Sequence, residues 1–213
     1  MKELRIRAGS FVFGEIGYNW NIKLLRLLKI MKEVELLFKI NNKKVKNLRK
    51  RLKKFFIEKI REIDTYFYPP HKDFLFTKGG RENLRVRDSN RKKELTYKKV
   101  VYKNGNYSHS IEKNVIVSDP GKTIEILKSA GFRIHLVIDK KREMFENKTF
   151  KITIDRVKNL GIFVEIEWRG DAKEKKNAIM ECLKMANKLG LKKVQDKGYL
   201  RLLEEKSTLK IKK

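Results

Sequence analysis

Two Glu-x-Glu pairs stand out in this chain, Glu33/Glu35 near the start and Glu165/Glu167 near the end. Each lies in a run with strand character, Glu33-Val-Glu-Leu-Leu-Phe-Lys-Ile40 and Ile162-Phe-Val-Glu-Ile-Glu-Trp168. Side chains alternate faces along a strand, so each pair projects from one face while Val34/Leu36/Phe38 and Val164/Ile166/Trp168 occupy the other. Basic residues show the same spacing at Arg85/Arg87 and Lys140/Arg142. Carboxylates that can hold a hard divalent cation, beside Arg and Lys, suit a metal-bound polyphosphate.

The elements that must position these residues can be read in order. Val45, Leu48, Leu52, Phe55/Phe56 and Ile60 recur at three- and four-residue steps, as on an amphipathic helix with a basic outer face. Ile63-Asp-Thr-Tyr-Phe-Tyr68 reads as a strand stopped by Pro69-Pro70, and residues 71–82 as a loop containing Gly79-Gly80. Strands are expected at 83–88, 93–101 and 107–117, the last two joined at an Asn104-Gly105 hairpin. Ser118-Asp119-Pro120 opens a helix that Gly131 stops. Further strands follow at 132–146, 149–156 and 161–169, then a helix at 172–189 ended by Gly190. Tyr199-Leu-Arg-Leu-Leu203 carries too little pattern for assignment. Eight strands with tight turns remove their edges most simply by closing, so the expected fold is α+β, a closed eight-stranded antiparallel β-barrel with helices packed outside.

The 213 residues fit a single domain. Residues 1–30 differ in pattern and read as an N-terminal extension, with Met31 a candidate true start. Residues 31–205 form the domain, and 206–213 a basic tail.

Lys and Arg number 54 against 26 Asp and Glu, a formal charge of +28. Such a field attracts phosphates, whether free, in a nucleotide or in nucleic acid. Charged residues at 38% and a single Gln, Gln195, also fit heat adaptation, but that alone would raise Glu alongside Lys. No apolar run reaches the roughly 20 residues of a membrane span. The lone Cys182 falls in a helical pattern and reads as a core residue of a reduced, cytoplasmic protein. Nucleic acid is allowed by the charge without a motif to favour it, and a homodimer is left open.

Several chemistries are excluded. Gly121-Lys-Thr123 lacks the glycine five residues earlier that a P-loop needs, where Ile116 stands. His71, His109, His135 and Cys182 have no zinc-ligand spacing. No nucleophile elbow or Gly-rich dinucleotide turn is present.

Taken together, Glu33-Val-Glu35, Asp64-Thr-Tyr-Phe67, Leu84-Arg-Val-Arg87, Leu95-Thr-Tyr-Lys98, Val117-Ser-Asp-Pro120, Lys140-Lys-Arg142, Ile154-Asp-Arg-Val157 and Phe163-Val-Glu-Ile-Glu167 resemble, in their order, the CYTH family of triphosphate tunnel metalloenzymes. Its members include class IV adenylate cyclases and thiamine triphosphatases, and the pattern is most similar to the cyclase branch and its archaeal-type relatives. The resemblance implies an eight-stranded tunnel that binds ATP or another triphosphate with Mg²⁺ or Mn²⁺. By that resemblance Glu33, Glu35, Glu165 and Glu167 hold the metal, and Arg85, Arg87, Lys98, Lys140 and Arg142 grip the phosphates. Asp155 positions a water or a second metal, and Glu112 lines the tunnel. The family motif continues Glu-x-Glu-x-Lys, whereas Leu37 stands here. Lys39 is the substitute on the same face, about 7 Å further along the strand.

Two reactions share these groups. In cyclisation the ribose 3′-hydroxyl of ATP attacks the α-phosphate and pyrophosphate leaves; in hydrolysis water attacks a terminal phosphate. Cyclisation is the expectation by closeness to that branch, with a triphosphatase as the alternative. A non-catalytic polyphosphate- or RNA-binding module is a third reading, supported by the charge and by Leu37.

Overall fold

A computed structural model describes residues 34–74, 80–103, 106–170, 177–195 and 197–211. The strands are β1 (Glu35–Ile40), β2 (Phe56–Tyr68), β3 (Gly80–Ser89), β4 (Glu94–Lys103), β5 (Asn106–Ile116), β6 (Arg133–Glu146), β7 (Phe150–Val157), β8 (Gly161–Trp168) and β9 (Val194–Gln195). Four α-helices accompany them, α1 (Asn42–Leu52), α2 (Pro120–Ser129), α3 (Ala178–Lys188) and α4 (Tyr199–Ile211). Glu33, residues 1–30 and the Asn104-Gly105 turn lie outside the described residues.

The strands form one antiparallel sheet in the order β5-β4-β3-β2-β6-β7-β8-β1-β9. This corrects the expected closed eight-stranded barrel: among the described residues there are nine strands, and their order ends at β5 and β9 without closing. The physical reason lies at β1, whose second edge is taken at Leu37 and Phe38 by the two-residue β9 rather than by β5. The sheet is nonetheless curled. In a flat sheet β4 and β1 would stand six spacings apart, about 28 Å. Yet Lys98 of β4 acts electrostatically on Glu35 of β1. Likewise β3 and β8 touch one helix, α4, through Arg81 and Phe163.

A second correction concerns the first helix. It ends at Leu52, passes through a 3₁₀ turn at Lys53–Phe55 and gives way to a strand at Phe56, well before Ile60. Residues 56–68 pair with β6 along almost their whole length, and that ladder overrides the helical spacing of Phe56 and Ile60. The two predicted glycine stops hold. Gly131 and Gly190 have φ of +85° and +71°, the left-handed backbone that ends a helix cheaply only at glycine. Asp119 caps α2, its carboxylate accepting from the Lys122 amide at 3.0 Å.

Alternation sorts the side chains. On the convex face Leu36, Phe38, Ile152, Ile154, Val164 and Ile166 pack against α1 and α3 to make the main core. Each such buried side chain contributes roughly 1.5–3 kcal/mol. Cys182 belongs to this core, and burial pushes its thiol up to about 12. The segment from Tyr199, unassigned from sequence, forms α4 and carries the helix through residues 206–211. It lies on the concave face, where Leu203 packs with Ile138, Val157 and Phe163. No helix among the described residues is long and apolar enough to cross a membrane.

Candidate triphosphate site

The concave face carries the charge. Arg87 stands opposite Asp64 across β3 and β2, and Arg142 opposite Asp155 across β6 and β7. Arg87 donates Nε and Nη2 to the two Asp64 oxygens at 2.7 and 2.9 Å, and its Nη2 also lies 3.0 Å from Glu62. Arg142 donates Nε and Nη2 to the two Asp155 oxygens at 2.8 and 2.6 Å, and Nη2 to Glu165 at 2.8 Å. Bidentate pairs of this kind fix a guanidinium plane as well as its charge. Burial opposes the Arg142 charge, but Asp155 and Glu165 more than restore it. Asp64 balances in the same way: burial works against its charge, and Arg87, Lys140 and Arg85 hold its carboxyl below the usual range.

Arg87 and Arg142 line one cavity of about 340 Å³ together with Arg91, Lys92, Lys151 and Arg169. Its β6 lining, Arg142, Met144 and Glu146, lies further along the strand than Leu136 and Ile138, where α4 packs. Neither Arg87 nor Arg142 has a partner for Nη1 among the described residues. Each therefore retains a donor that an oxyanion could use.

The remaining predicted cations fall out differently. Arg85 donates Nη2 to Glu94 and to Thr96 Oγ1, both at 3.2 Å, and its buried Nε has no hydrogen-bond partner among the described residues. Lys140 is sealed in, its side chain 5% exposed, with Nζ 2.5 Å from Glu62. Lys98 pairs with Glu112 at 3.3 Å near the β5 edge, which places Glu112 on the same face as Lys98. Lys39 is not drawn into the cluster: it is exposed, and its ammonium stands 5.8 Å from the centre of the Phe163 ring.

Of the predicted metal carboxylates, Glu35 and Glu165 come together across β1 and β8, where Glu35 stands opposite Glu167 and Glu165 opposite Leu37. Solvent reaches Glu35 within the curl. The Glu165 charge raises its carboxyl well above the usual range, with enclosure and Glu167 adding to the effect. Burial works against the charge of Glu165, but Arg142 keeps its carboxyl low. A carboxyl pushed upward by a neighbouring carboxylate marks a place where a dication is more comfortable than two bare anions. Glu167 accepts from Lys151 at 2.8 Å and from Arg169 at 3.1 Å. Among the described residues no group of three or more acidic, His or Cys side chains is arranged to hold a metal unaided. The donor chemistry still fits Mg²⁺ or Mn²⁺, since Mg²⁺ is commonly held by one or two carboxylates with phosphate oxygens and water completing the shell.

Asp155, expected to position water, is 0% exposed, and its oxygens are taken by Arg142 and by the Tyr199 hydroxyl at 2.9 Å. Sequence reading assigned no role to Glu62, Asp64, Glu94 or Tyr199. Glu62-Ile-Asp64 has the same acid-x-acid spacing as the two Glu pairs. The signal was lost because the expected strand began at Ile63.

Comparison with known proteins accords with this arrangement. A Methanocaldococcus jannaschii protein named "Putative adenylate cyclase MJ0240" is 34% identical over 178 residues, covering 81% of this chain and 98% of that protein. The structure of Pyrococcus horikoshii PH1819 superposes with a TM-score of 0.64 at 30% identity, covering 82% of this chain and 99% of that one. Hippeastrum HpAC1, described as a putative adenylyl cyclase with a dominant triphosphatase activity, shares the fold at a TM-score of 0.59 and 16% identity, over 81% of this chain and 95% of that one. The pattern that defines the CYTH domain matches residues 31–199, and the chain belongs to the CYTH family.

Proposed function

We propose that this protein is a divalent-metal-dependent enzyme acting on the triphosphate of ATP, which it cyclises to cyclic AMP and pyrophosphate. The observation that carries the triphosphate reading is the pair Arg87 and Arg142, both locked by Asp and both facing one cavity with Nη1 unspent. Non-bridging phosphate oxygens would take those donors, and the fixed forks would offset charge gathering on the departing pyrophosphate. In the reaction the ribose 3′ oxygen bonds to the α-phosphorus and gives its proton to solvent. The bond from the α-phosphorus to the αβ-bridging oxygen breaks, and that oxygen leaves with pyrophosphate. Glu35 and Glu165 would hold the Mg²⁺ or Mn²⁺, with Glu35 deprotonated. Once bound, the metal supplies Lewis acidity toward the phosphoryl oxygens. Asp155 and Lys39 take no part in the chemistry on this reading, the first being enclosed and the second standing over Phe163.

The cavity lining favours a second reading, hydrolysis of a triphosphate. Ile60 and Met144 are the apolar side chains it offers to a nucleobase, beside six cations. Purified protein with Mg²⁺ or Mn²⁺ should be given ATP and, separately, tripolyphosphate, with products resolved by ³¹P NMR. Pyrophosphate with cyclic AMP supports the cyclase. Orthophosphate from either substrate makes the protein a triphosphatase. No product from either, with steeply salt-dependent RNA binding, would overturn both enzyme readings.

A further inference from the structure

We propose that Tyr199 is a positioning residue of the triphosphate site, acting through Asp155 on Arg142; this rests on the triphosphate reading above. Tyr199 is the first residue of α4, and its hydroxyl donates to Asp155 Oδ2 at 2.9 Å. The same oxygen accepts from Arg142 Nη2 at 2.6 Å, and Oδ1 accepts from Arg142 Nε at 2.8 Å. Asp155 is 0% exposed, so water cannot substitute for a lost donor.

The ring is placed independently of its hydroxyl. It stacks edge-on against Phe163 with centroids 5.1 Å apart, and Lys140 Nζ lies 5.5 Å from its centre. Burial, then the neighbouring Asp155 charge, push the phenol far upward, so it remains a donor at any working pH. α4 itself is pinned further along: Glu204 accepts from Arg81 at 2.5 Å and lies 2.9 Å from His135 Nε2, and Leu203 enters the concave apolar cluster. The helix thus delivers a hydroxyl to a fixed point. There it settles the Asp155 carboxylate, and Asp155 settles the plane from which Arg142 Nη1 emerges. The strands alone do not complete the site; the docked helix does.

Tyr199→Phe keeps the ring and removes the donor. Tripolyphosphate affinity would be measured by calorimetry in EDTA for the wild type, Tyr199→Phe, Arg142→Lys and the double variant, with thermal melts alongside. Tyr199→Phe should weaken binding about tenfold, as expected for a lost hydrogen bond to a charged group. Arg142→Lys, which cannot form the fork, should weaken it at least as much. The double variant should match Arg142→Lys alone, because the hydroxyl has nothing left to orient. Wild-type affinity in Tyr199→Phe would overturn the proposal, and so would fully additive losses in the double variant. A Tyr199→Phe protein unfolded at the assay temperature would make the hydroxyl a determinant of the fold, and overturn it equally. Wild-type protein that binds no tripolyphosphate, with or without Mn²⁺, would instead overturn the triphosphate reading itself.

Discussion

Arg87 and Arg142 are anchored alike: each spends Nε and Nη2 on the Asp directly opposite, on a neighbouring strand, and each extends Nη2 to a nearby Glu. Both rest on cross-strand pairing, so the sheet register sets their separation and orientation before any ligand arrives. A guanidinium already immobilised loses little entropy on binding an oxyanion.

Arg87→Lys keeps the charge and discards the fork. Tripolyphosphate affinity should fall roughly tenfold, about 1.4 kcal/mol, by calorimetry. Stability should also decline, because Asp64 loses one of its two matched donors. Unchanged affinity would show that Arg87 serves the fold alone.

Asp64→Asn should cost about 3–5 kcal/mol of stability in urea unfolding, since it leaves Arg85, Arg87 and Lys140 crowded without their central anion. The pH dependence has a definite sign. The folded pKa of Asp64 is depressed, so its contribution is present above the ordinary carboxylate range and is lost as pH falls through the depressed value. Wild type should therefore lose stability on acidification that Asp64→Asn never had.

Glu35 works in the opposite direction. Its folded pKa is raised, so the metal-free protein binds a proton that the unfolded chain has released, and stability declines as pH rises between the two values. Glu35→Gln should flatten that decline in melting curves recorded in EDTA. Adding Mn²⁺ should stabilise the wild type increasingly with pH across the same window and release a proton on binding. Calorimetry in buffers of different ionisation enthalpy would detect that proton, and its absence would remove Glu35 from the metal set.

Leu37→Lys would restore the family's Glu-x-Glu-x-Lys pattern. Leu37 packs on the apolar cluster that seats α4, with Leu203, Phe163 and Ile138. A lysine there desolvates its charge or displaces the helix, so a loss of about 1–3 kcal/mol is expected. Earlier proteolytic cleavage near the C-terminus should accompany it. Higher turnover at unchanged stability would contradict this account.

These cases show what the amino-acid order made legible. Alternation exposed the acidic and basic faces, because a period of two is a local property of a strand. Arg142 and Glu165 could thus be named as site residues, but their contact depends on the β6-β7-β8 register and could not be. Leu37 looked like a lost cation; its meaning depends on α4, a helix whose first residues carry little periodicity. The fate of the sheet edge was equally hidden. Two residues, Val194 and Gln195, take the edge of β1, and so short a strand leaves no pattern.

With α4 seated among Leu37, Ile138, Val157 and Phe163, the curled sheet has a floor at that end and a basic mouth at the other. The cations at that mouth would draw a polyanion toward the arginine forks from a distance. Such long-range attraction is screened by salt, so the rate of ligand capture should fall as ionic strength rises.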